Sequence, residues 1–319
     1  MAEPGLSDVH QDQALTDFTV AYFQDLATTA VGGQFAPAVP VGKQSNKYYV
    51  YDKAETMRTD AQKRAPNTEA AVRNYTLSTG SYFCDVYSIA SDVSEQVRAN
   101  ADAALDIEED AARVCAEDIR LRMEMDFATA AFATGVWGTD VVGGTDFTIW
   151  SNASSSPIDD VATGMDVVET ATGRTPNILV LGAKVLNTGL RNHPDIIARL
   201  PDNAPRVTTA SFLANLFGVE KVLIAKAIRN TADEGATGAY SRILGNNALL
   251  AYVDPNPGLR VPTAMRRFTW SGLTGSEDGL RTKRMDMPWK DALPRVETDA
   301  AYAYQVTGSD LGYFLSVAV

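Results

Sequence analysis

Ala104–Val136 reads ALDIEEDAARVCAEDIRLRMEMDFATAAFATGV. Its spacing predicts one helix over Asp106–Phe132, the longest element of the chain. Asp106 and Glu109 have the D-x-x-E spacing of a capping box, in which side-chain oxygens take up the free N–H groups of the first turn. Glu108, Glu109 and Asp110 place negative charge at the positive end of the helix dipole. Ile107, Ala111, Val114, Leu121, Met125, Ala128 and Phe132 recur at helical spacing and predict an apolar stripe, with most charges off it. Gly135 is the expected stop. Such a helix runs about 40 Å at 1.5 Å per residue, long enough to act as a beam for the rest of the chain.

The chain has 319 residues, 45% of them hydrophobic and 21% charged, so a folded core is expected in one large domain or two smaller ones. The formal net charge is −12. An acidic chain is a poor general binder of nucleic acid, because phosphate contacts need clustered Lys and Arg. Two cysteines, Cys84 and Cys115, set no disulfide framework, and a reducing compartment is the default. Met1–Asp12 is acidic without an apolar segment and does not read as a signal peptide. No apolar run is long enough for a membrane span.

Outward from the long helix, residues 1–34 read as an arm. Leu15, Phe18, Tyr22 and Leu26 form one short amphipathic face, which Gly32–Gly33 is expected to end. Its apolar face must pack on its own body or on a neighbour. Phe35–Val41 is extended because Pro37 and Pro40 forbid helix. A strand is expected at Tyr48–Tyr51 and another at Tyr75–Ser81. Between them, residues 52–73 carry Asp52, Lys53, Glu55, Arg58, Asp60, Lys63, Arg64, Glu69 and Arg73 and have almost nothing to bury. The whole predicts a long two-stranded excursion with a charged tip, which is marginal alone in water. Ser81–Ser91 is expected as one strand, with Tyr82, Cys84 and Val86 on one face and Phe83, Tyr87 and Ile89 on the other.

Beyond the long helix a strand is expected at Phe147–Trp150. A compact mixed domain follows. Its helices are expected at Pro157–Thr172, Ala183–Gly189 and Thr209–Phe217. Its strands are expected at Asn177–Gly182, Lys221–Ala225 and Ala248–Val253. Leu280–Met287 is an extended basic run. Ala300–Thr307 and Leu311–Val319 flank Gly308-Ser309-Asp310, a hairpin signal.

Catalytic chemistry finds little support. His10 lies in the arm, and His193, in Asn192-His193-Pro194-Asp195, has a natural capping or turn role. No Gly-x-Ser-x-Gly partner exists for it. Zinc needs clustered Cys and His, which are lacking. Gly42-Lys43 has the ending of a P-loop, but Pro37 stands where Gly is required and Gln44 replaces Ser/Thr. Glu108–Glu109 and the series Glu117, Asp118, Glu124 have cation-binding chemistry, but a solvated helix face explains them better. Asp118, nearest the stripe, is the exception, with Arg122 at i+4 as its expected partner. Arg281, Lys283 and Arg284 form a small basic patch; a salt-bridged strand edge explains it better than nucleic acid. Asn74 and Asn152 head sequons that mean nothing without secretion. No catalytic, cofactor-binding or metal-ligating residue is assigned.

Arm, extended charged hairpin, long helix, compact second domain and returning hairpin together resemble the HK97-fold major capsid proteins of tailed bacteriophages. Phe35–Val41 resembles the segment ending the arm in that family. Arg98-Ala99-Asn100-Ala101-Asp102, then Leu105-Asp106, resembles the lead-in to its spine helix. Thr172-Gly173, Pro176-Asn177, Leu179–Gly182 and His193–Ile196 resemble its domain near the capsomer axis, and Leu311–Leu315 its last strand.

The resemblance implies an α+β, HK97-like capsid fold. Residues 1–34 would be the N-terminal arm and 35–82 the E-loop. Residues 83–150 and 283–319 would be the P domain, with a spine helix over 106–133, and 151–282 the A domain. It further implies hexamers and pentamers closing into an icosahedral shell around double-stranded DNA. The partners implied are a portal, decoration proteins and a separate scaffolding protein, the last because thirty-four residues are too few for a built-in scaffold. The location implied is the virion, after assembly in the host cytoplasm, with no membrane contact and no cofactor. Lys43, Lys47, Lys53 and Lys63 lie in the E-loop, where some members form covalent cross-links; none matches a reactive position. The alternatives are an encapsulin-like shell, an α/β enzyme with a lid hairpin, and a decoration protein.

Overall fold

A computed structural model describes residues 30–51, 53–74, 77–94, 107–200, 208–256, 261–287 and 292–319. The expected arm helix with Leu15 to Leu26, His10 and the capping residue Asp106 lie outside these residues.

The described chain enters through one helical turn, Gly32–Phe35, and strand β1, Ala38–Val41. Strands β2, Ser45–Tyr51, and β3, Leu77–Phe83, form the long hairpin, paired from Ser45↔Phe83 to Tyr51↔Leu77. Strand β4, Asp85–Ser94, precedes the long helix α1, Ile107–Ala131. Then come β5, Thr139–Val142, helix α2, Pro157–Thr172, and β6, Ile178–Gly182. A π-helical stretch, Val185–Leu190, leads towards α3, Ala210–Phe217, and β7, Lys221–Ala225. A small hairpin joins β8, Ile228–Asn230, to β9, Tyr240–Arg242. The remaining strands are β10, Ala248–Ala251; β11, Met265–Trp270; β12, Leu280–Met287; β13, Ala292–Val306; and β14, Gly312–Ser316.

The strands make two five-stranded sheets. The first is built on β13, which pairs antiparallel with β4, β11 and β12, while β1 adds parallel to β11. The second runs β5-β14-β10-β6-β7. Every residue of β6, β10 and β14 is buried, as expected of central strands covered on both faces. On one face of this sheet, Val161 and Val168 of α2 and Leu213 and Phe217 of α3 pack around Trp150. The other face shares a core with the end of α1: Phe127 and Ala131 meet Val180, Leu249 and Phe314. Further along α1, Ile119 and Met123 pack on Leu280, Ala300 and Tyr302 of the first sheet. The long helix therefore lies on one sheet and plugs into the other.

Several expectations are corrected. The buried face of α1 is Ala111, Ala112, Cys115, Ala116, Ile119, Met123, Phe127 and Ala131; of the expected stripe Ala111 is buried and Ala128 and Phe132 pack on the core, but Val114, Leu121 and Met125 do not belong to that face. Val114 is 62% exposed, and Leu121 and Met125 are half-buried. The helix has two apolar faces, and periodicity does not say which one meets its own sheet. Gly32–Gly33 opens a helical turn, and the arm helix these glycines were expected to end lies outside the described residues. Ser81–Ser91 is not one strand. The ladder breaks at Cys84, so Tyr82 and Cys84 are buried on one side while Tyr87 and Ile89 pack beneath α1 and Val86 is exposed. Phe147–Trp150 is not a strand; the strand is β5, and Trp150 instead fills the core with its indole N–H donated to Asp160.

Residues 308–310 do not turn a hairpin. The amides of Thr307 and Gly308 both donate to the carbonyl of Ala264, and a 3-10 turn, Ser309–Leu311, passes the chain to the second sheet. β13 and β14 thus lie in different sheets, and β13 begins at Ala292 instead of Ala300. Sheet membership also cuts across the expected division at residues 151 and 282. β5 and β14 join the sheet of β6, β7 and β10, while β11 and β12 join that of β4 and β13.

Candidate assembly surfaces

Three places were singled out by charge or exposure: the acidic helix, the basic run and the long hairpin. On the helix, Glu124 is only 2% exposed. Its two carboxylate oxygens accept the backbone N–H groups of Val31 and Gly32, each at 3.1 Å. Burial pushes its carboxyl above the ordinary 4.5; the two amides and the nearby Arg120 pull it part of the way back. Glu124 is thus no member of a solvated face. Asp118 is exposed, and its expected partner Arg122 turns instead to Asp126 at 3.1 Å and lies over the Tyr87 ring. Beside Glu124, Phe35 packs on Phe127 and Trp137, with ring centroids 5.5 and 6.4 Å apart. The Trp137 indole donates to the Ala131 carbonyl at 2.7 Å and so caps the end of the helix. This corner fastens the entering chain to α1.

The basic run becomes a cross-strand ion ladder. Arg281 and Lys283 of β12 reach Asp299 of β13 at 2.7 and 2.8 Å, and Lys283 also meets Glu297 at 2.9 Å. Arg284 bonds Glu108 in the first turn of α1 at 3.3 Å. Burial alone raises the Asp299 carboxyl, but hydrogen bonds from Lys283, Arg281 and Ser88 outweigh it and hold it below the ordinary 3.8. The patch is consumed internally, as a salt-bridged strand should be.

His193 is buried as the cap of a helical turn, Pro194–Ile197, its Nδ1 accepting the Asp195 amide. That bond leaves the ring proton on Nε2, which lies 3.0 Å from Ser155 Oγ and 3.2 Å from the Asn152 carbonyl. A protonated Nε2 does not take a proton from Ser155, so the pair locks a turn. Gly42-Lys43 lies exposed between β1 and β2, with no helix following. Among the described residues, no cluster of three or more His, Cys, Asp and Glu side chains is placed to hold a metal. Nor does any described helix have the length and apolarity to cross a membrane.

The long hairpin is different. Its base is packed: Tyr82 stacks on Phe268 at 4.4 Å, beside Tyr48, Val39, Val41 and Cys84. Lys53 meets Asp310 at 2.6 Å across a cleft of about 620 Å³ between hairpin and body. Its tip is not packed. Residues 61–74 are exposed throughout, with Val72 at 84%, and Met57, ahead of them, is 59% exposed. Arg58 and Arg73 share Asp60, an exposed arrangement of the kind that contributes about 0–1 kcal/mol. The β8–β9 hairpin also stands out, with Tyr240 75% and Ile228 55% exposed. Sequence reading marked the first hairpin through its charge run but missed the second, whose strands are three residues each.

A body with closed cores and hairpins that carry apolar side chains into solvent has the construction of an assembling subunit. No family model matches the chain. It is 26% identical to the major capsid protein of Burkholderia phage BcepMu, over 96% of this chain and 95% of that one. It is 28% identical to the major capsid protein of Pseudomonas phage JBD67, over 97% of each. Its fold matches the crystal structure of a phage-related protein from Bordetella bronchiseptica RB50 with a TM-score of 0.75 at 18% identity, covering 97% of this chain and 98% of the other. The capsid of cyanophage P-SCSP1u gives 0.56 at 12%, covering 99% and 91%. The SrpI encapsulin from Synechococcus elongatus PCC 7942 gives 0.54 at 12%, with the same coverages. The chain is a homologue of phage major capsid proteins, with a mixed α/β fold like theirs, and its function is that of a structural capsid subunit.

Proposed function

We propose that the subunit follows the HK97 plan. Copies form hexamers and pentamers that close into an icosahedral shell around double-stranded DNA. The long hairpin is the E-loop and reaches over a neighbouring copy. Helix α1 is the spine of a P domain built on the β13 sheet. The β10 sheet with α2 and α3 is the A domain, whose β8–β9 hairpin faces the capsomer axis. Assembly takes place in the host cytoplasm with a separate scaffolding protein, and the finished shell carries a portal and decoration proteins.

The observation that carries this reading is the hairpin tip. Residues 61–74 bury nothing on their own body, yet hold Val72 in solvent. Ordering such a segment costs about 1–2 kcal/mol per residue, which only a surface outside the subunit repays. Interleaved contacts of obligate assemblies, on the order of 2,000–5,000 Å², supply one. Head-to-tail contacts between copies close into rings. The net charge of −12 suits a wall that confines DNA without adhering to it.

Negative-stain microscopy of the overexpressed chain, with and without its gene neighbours, tests the reading. Closed shells are expected. A monodisperse monomer at every concentration overturns it. Nucleic acid inside the purified particles supports a virion, whereas a protein cargo moves the assignment to an encapsulin-like compartment, whose fold this chain shares.

A further inference from the structure

The cleft between the long hairpin and the body holds more positive charge than it neutralises. Among the described residues that line it, Lys53, Arg174 and Arg266 are cationic and Asp310 alone is anionic. Asp310 is taken by Lys53 at 2.6 Å. Two guanidiniums are left in one cavity of a chain whose net charge is −12.

Neither guanidinium has a carboxylate partner among the described residues. Arg174, just past the end of α2, is half-buried over the Tyr252 ring at 4.9 Å and donates to the Tyr252 hydroxyl at 2.7 Å. Arg266, on β11, is only 4% exposed. Its one acceptor among the described residues is the Val261 carbonyl, and its buried Nε–H has none. Burial weakens its hold on its proton, and Tyr48 and Asp254 offset this only in part. The Asp254 carboxylate is itself engaged, by the Asn256 amide at 2.9 Å and the Tyr252 hydroxyl at 3.4 Å. Asp254 thus acts on Arg266 and also meets the hydroxyl that Arg174 holds, so the two guanidiniums share one neighbourhood. A buried cation is costly unless paired, as Arg281 is with Asp299. What completes such a pair here is an oxyanion, because a guanidinium presents its donors in a planar fork that matches two oxygens of a carboxylate or phosphate. The cleft, at about 620 Å³, has the size of a ligand pocket, and Tyr49, Val50, Val261 and Pro262 give it apolar walls.

We propose that the cleft is an oxyanion site, in which Arg266 and Arg174 bind a carboxylate or phosphate group. Both arginines belong to the body, while Lys53 and Tyr49 on the opposite wall belong to the hairpin, so a bound anion ties hairpin to body. The group comes from a free anion or from an acidic side chain of a second copy. The chemistry is the same for both, and the test separates them.

The full-length chain is treated with an arginine-specific dicarbonyl, and the rate at each arginine is read by peptide mass spectrometry. Arg229, exposed on β8 and outside the cleft lining, is the control. Inorganic phosphate at about 10 mM, ten times a dissociation constant of about 1 mM, is expected to slow modification of Arg174 about tenfold relative to chloride at equal ionic strength. Arg229 is expected to react at one rate in both salts. Equal rates at Arg174 overturn the proposal, as does equal slowing at Arg229. Arg266→Gln is expected to abolish the protection of Arg174; full protection in a folded variant also overturns it. Should that variant not fold, the wild-type comparison decides alone. The source is read in assembled particles by treating Arg174→Lys with a carbodiimide. A bond from position 174 to a carboxylate of another chain supports the site and identifies a second copy as the source. No such bond, with the phosphate protection kept, supports the site and identifies a free anion.

Discussion

Glu124 accepts the backbone N–H of Gly32 at 3.1 Å across 92 positions of sequence. One carboxylate thereby ties the entering chain to the middle of the longest helix, and with the Val31 amide it satisfies two donors that burial would leave unpaired.

Glu124→Gln keeps the shape but offers one acceptor where two are needed. The expected cost at pH 7 is about 1–2 kcal/mol, the range for one buried donor left unsatisfied. The sign of the pH dependence is specific. Burial raises this carboxyl, so the folded chain binds its proton more tightly than the unfolded chain and wild-type stability falls as pH rises above 4.5. The deficit of the variant therefore shrinks with rising pH and grows as pH is lowered towards 4.5. Urea midpoints of both proteins at several pH values measure it; a deficit growing with pH refutes the assignment.

Asp299 predicts the opposite slope. Its carboxyl is held below 3.8 by Lys283, Arg281 and Ser88, so its stabilisation is full above that value and is lost as pH falls through the depressed range. Asp299→Asn leaves Arg281 and Lys283 short of their shared partner in a nearly buried site, at an expected cost of about 3 kcal/mol at neutral pH. The gap to wild type closes in acid below pH 3.8. A gap constant from pH 7 to 2.5 counts against the ladder.

Gly312 opens β14 against the face of Trp137. A Cβ there collides with the indole ring of Trp137. Gly312→Ala displaces the ring whose N–H caps Ala131. Overpacking of this kind costs about 1–3 kcal/mol. A changed near-UV circular dichroism band is expected, with far-UV helix content nearly kept. An unchanged tryptophan band disproves the contact.

These three sites mark what the sequence makes legible. The helix was visible because twenty-five residues of unbroken periodicity admit no other element. Which of its faces meets the body was not, since both stripes are apolar and only the position of β13 chooses between them. Glu124 looked like its solvated neighbours because its partners are backbone amides, which carry no residue-type signature. β13 extends back past Ala300 through Glu297, Thr298 and Asp299, polar residues that Lys283 and Arg281 on the adjacent strand make tolerable in a sheet. The turn at Gly308 looked like a hairpin because local pattern records that a chain reverses, not which sheet receives it. The tip of the long hairpin is legible, since a charge run with nothing to bury stands in solvent.

That last agreement gives the most direct prediction about assembly. Val72, 84% exposed, makes little contact with its own body, so replacing it with Lys should shift the urea midpoint of the isolated subunit by no more than about 0.5 kcal/mol of stability. In the proposed assembly the same side chain is buried against a neighbour, and the Lys then brings a charge into an apolar contact, which costs far more than it does in water. The variant is therefore expected to fold normally and yet yield few or no closed particles by microscopy. Particles in wild-type number, from a variant of unchanged stability, mean that the tip serves no contact between copies. A variant that loses both fold and particles means that the tip packs on its own trunk, contrary to the exposure on which the prediction rests.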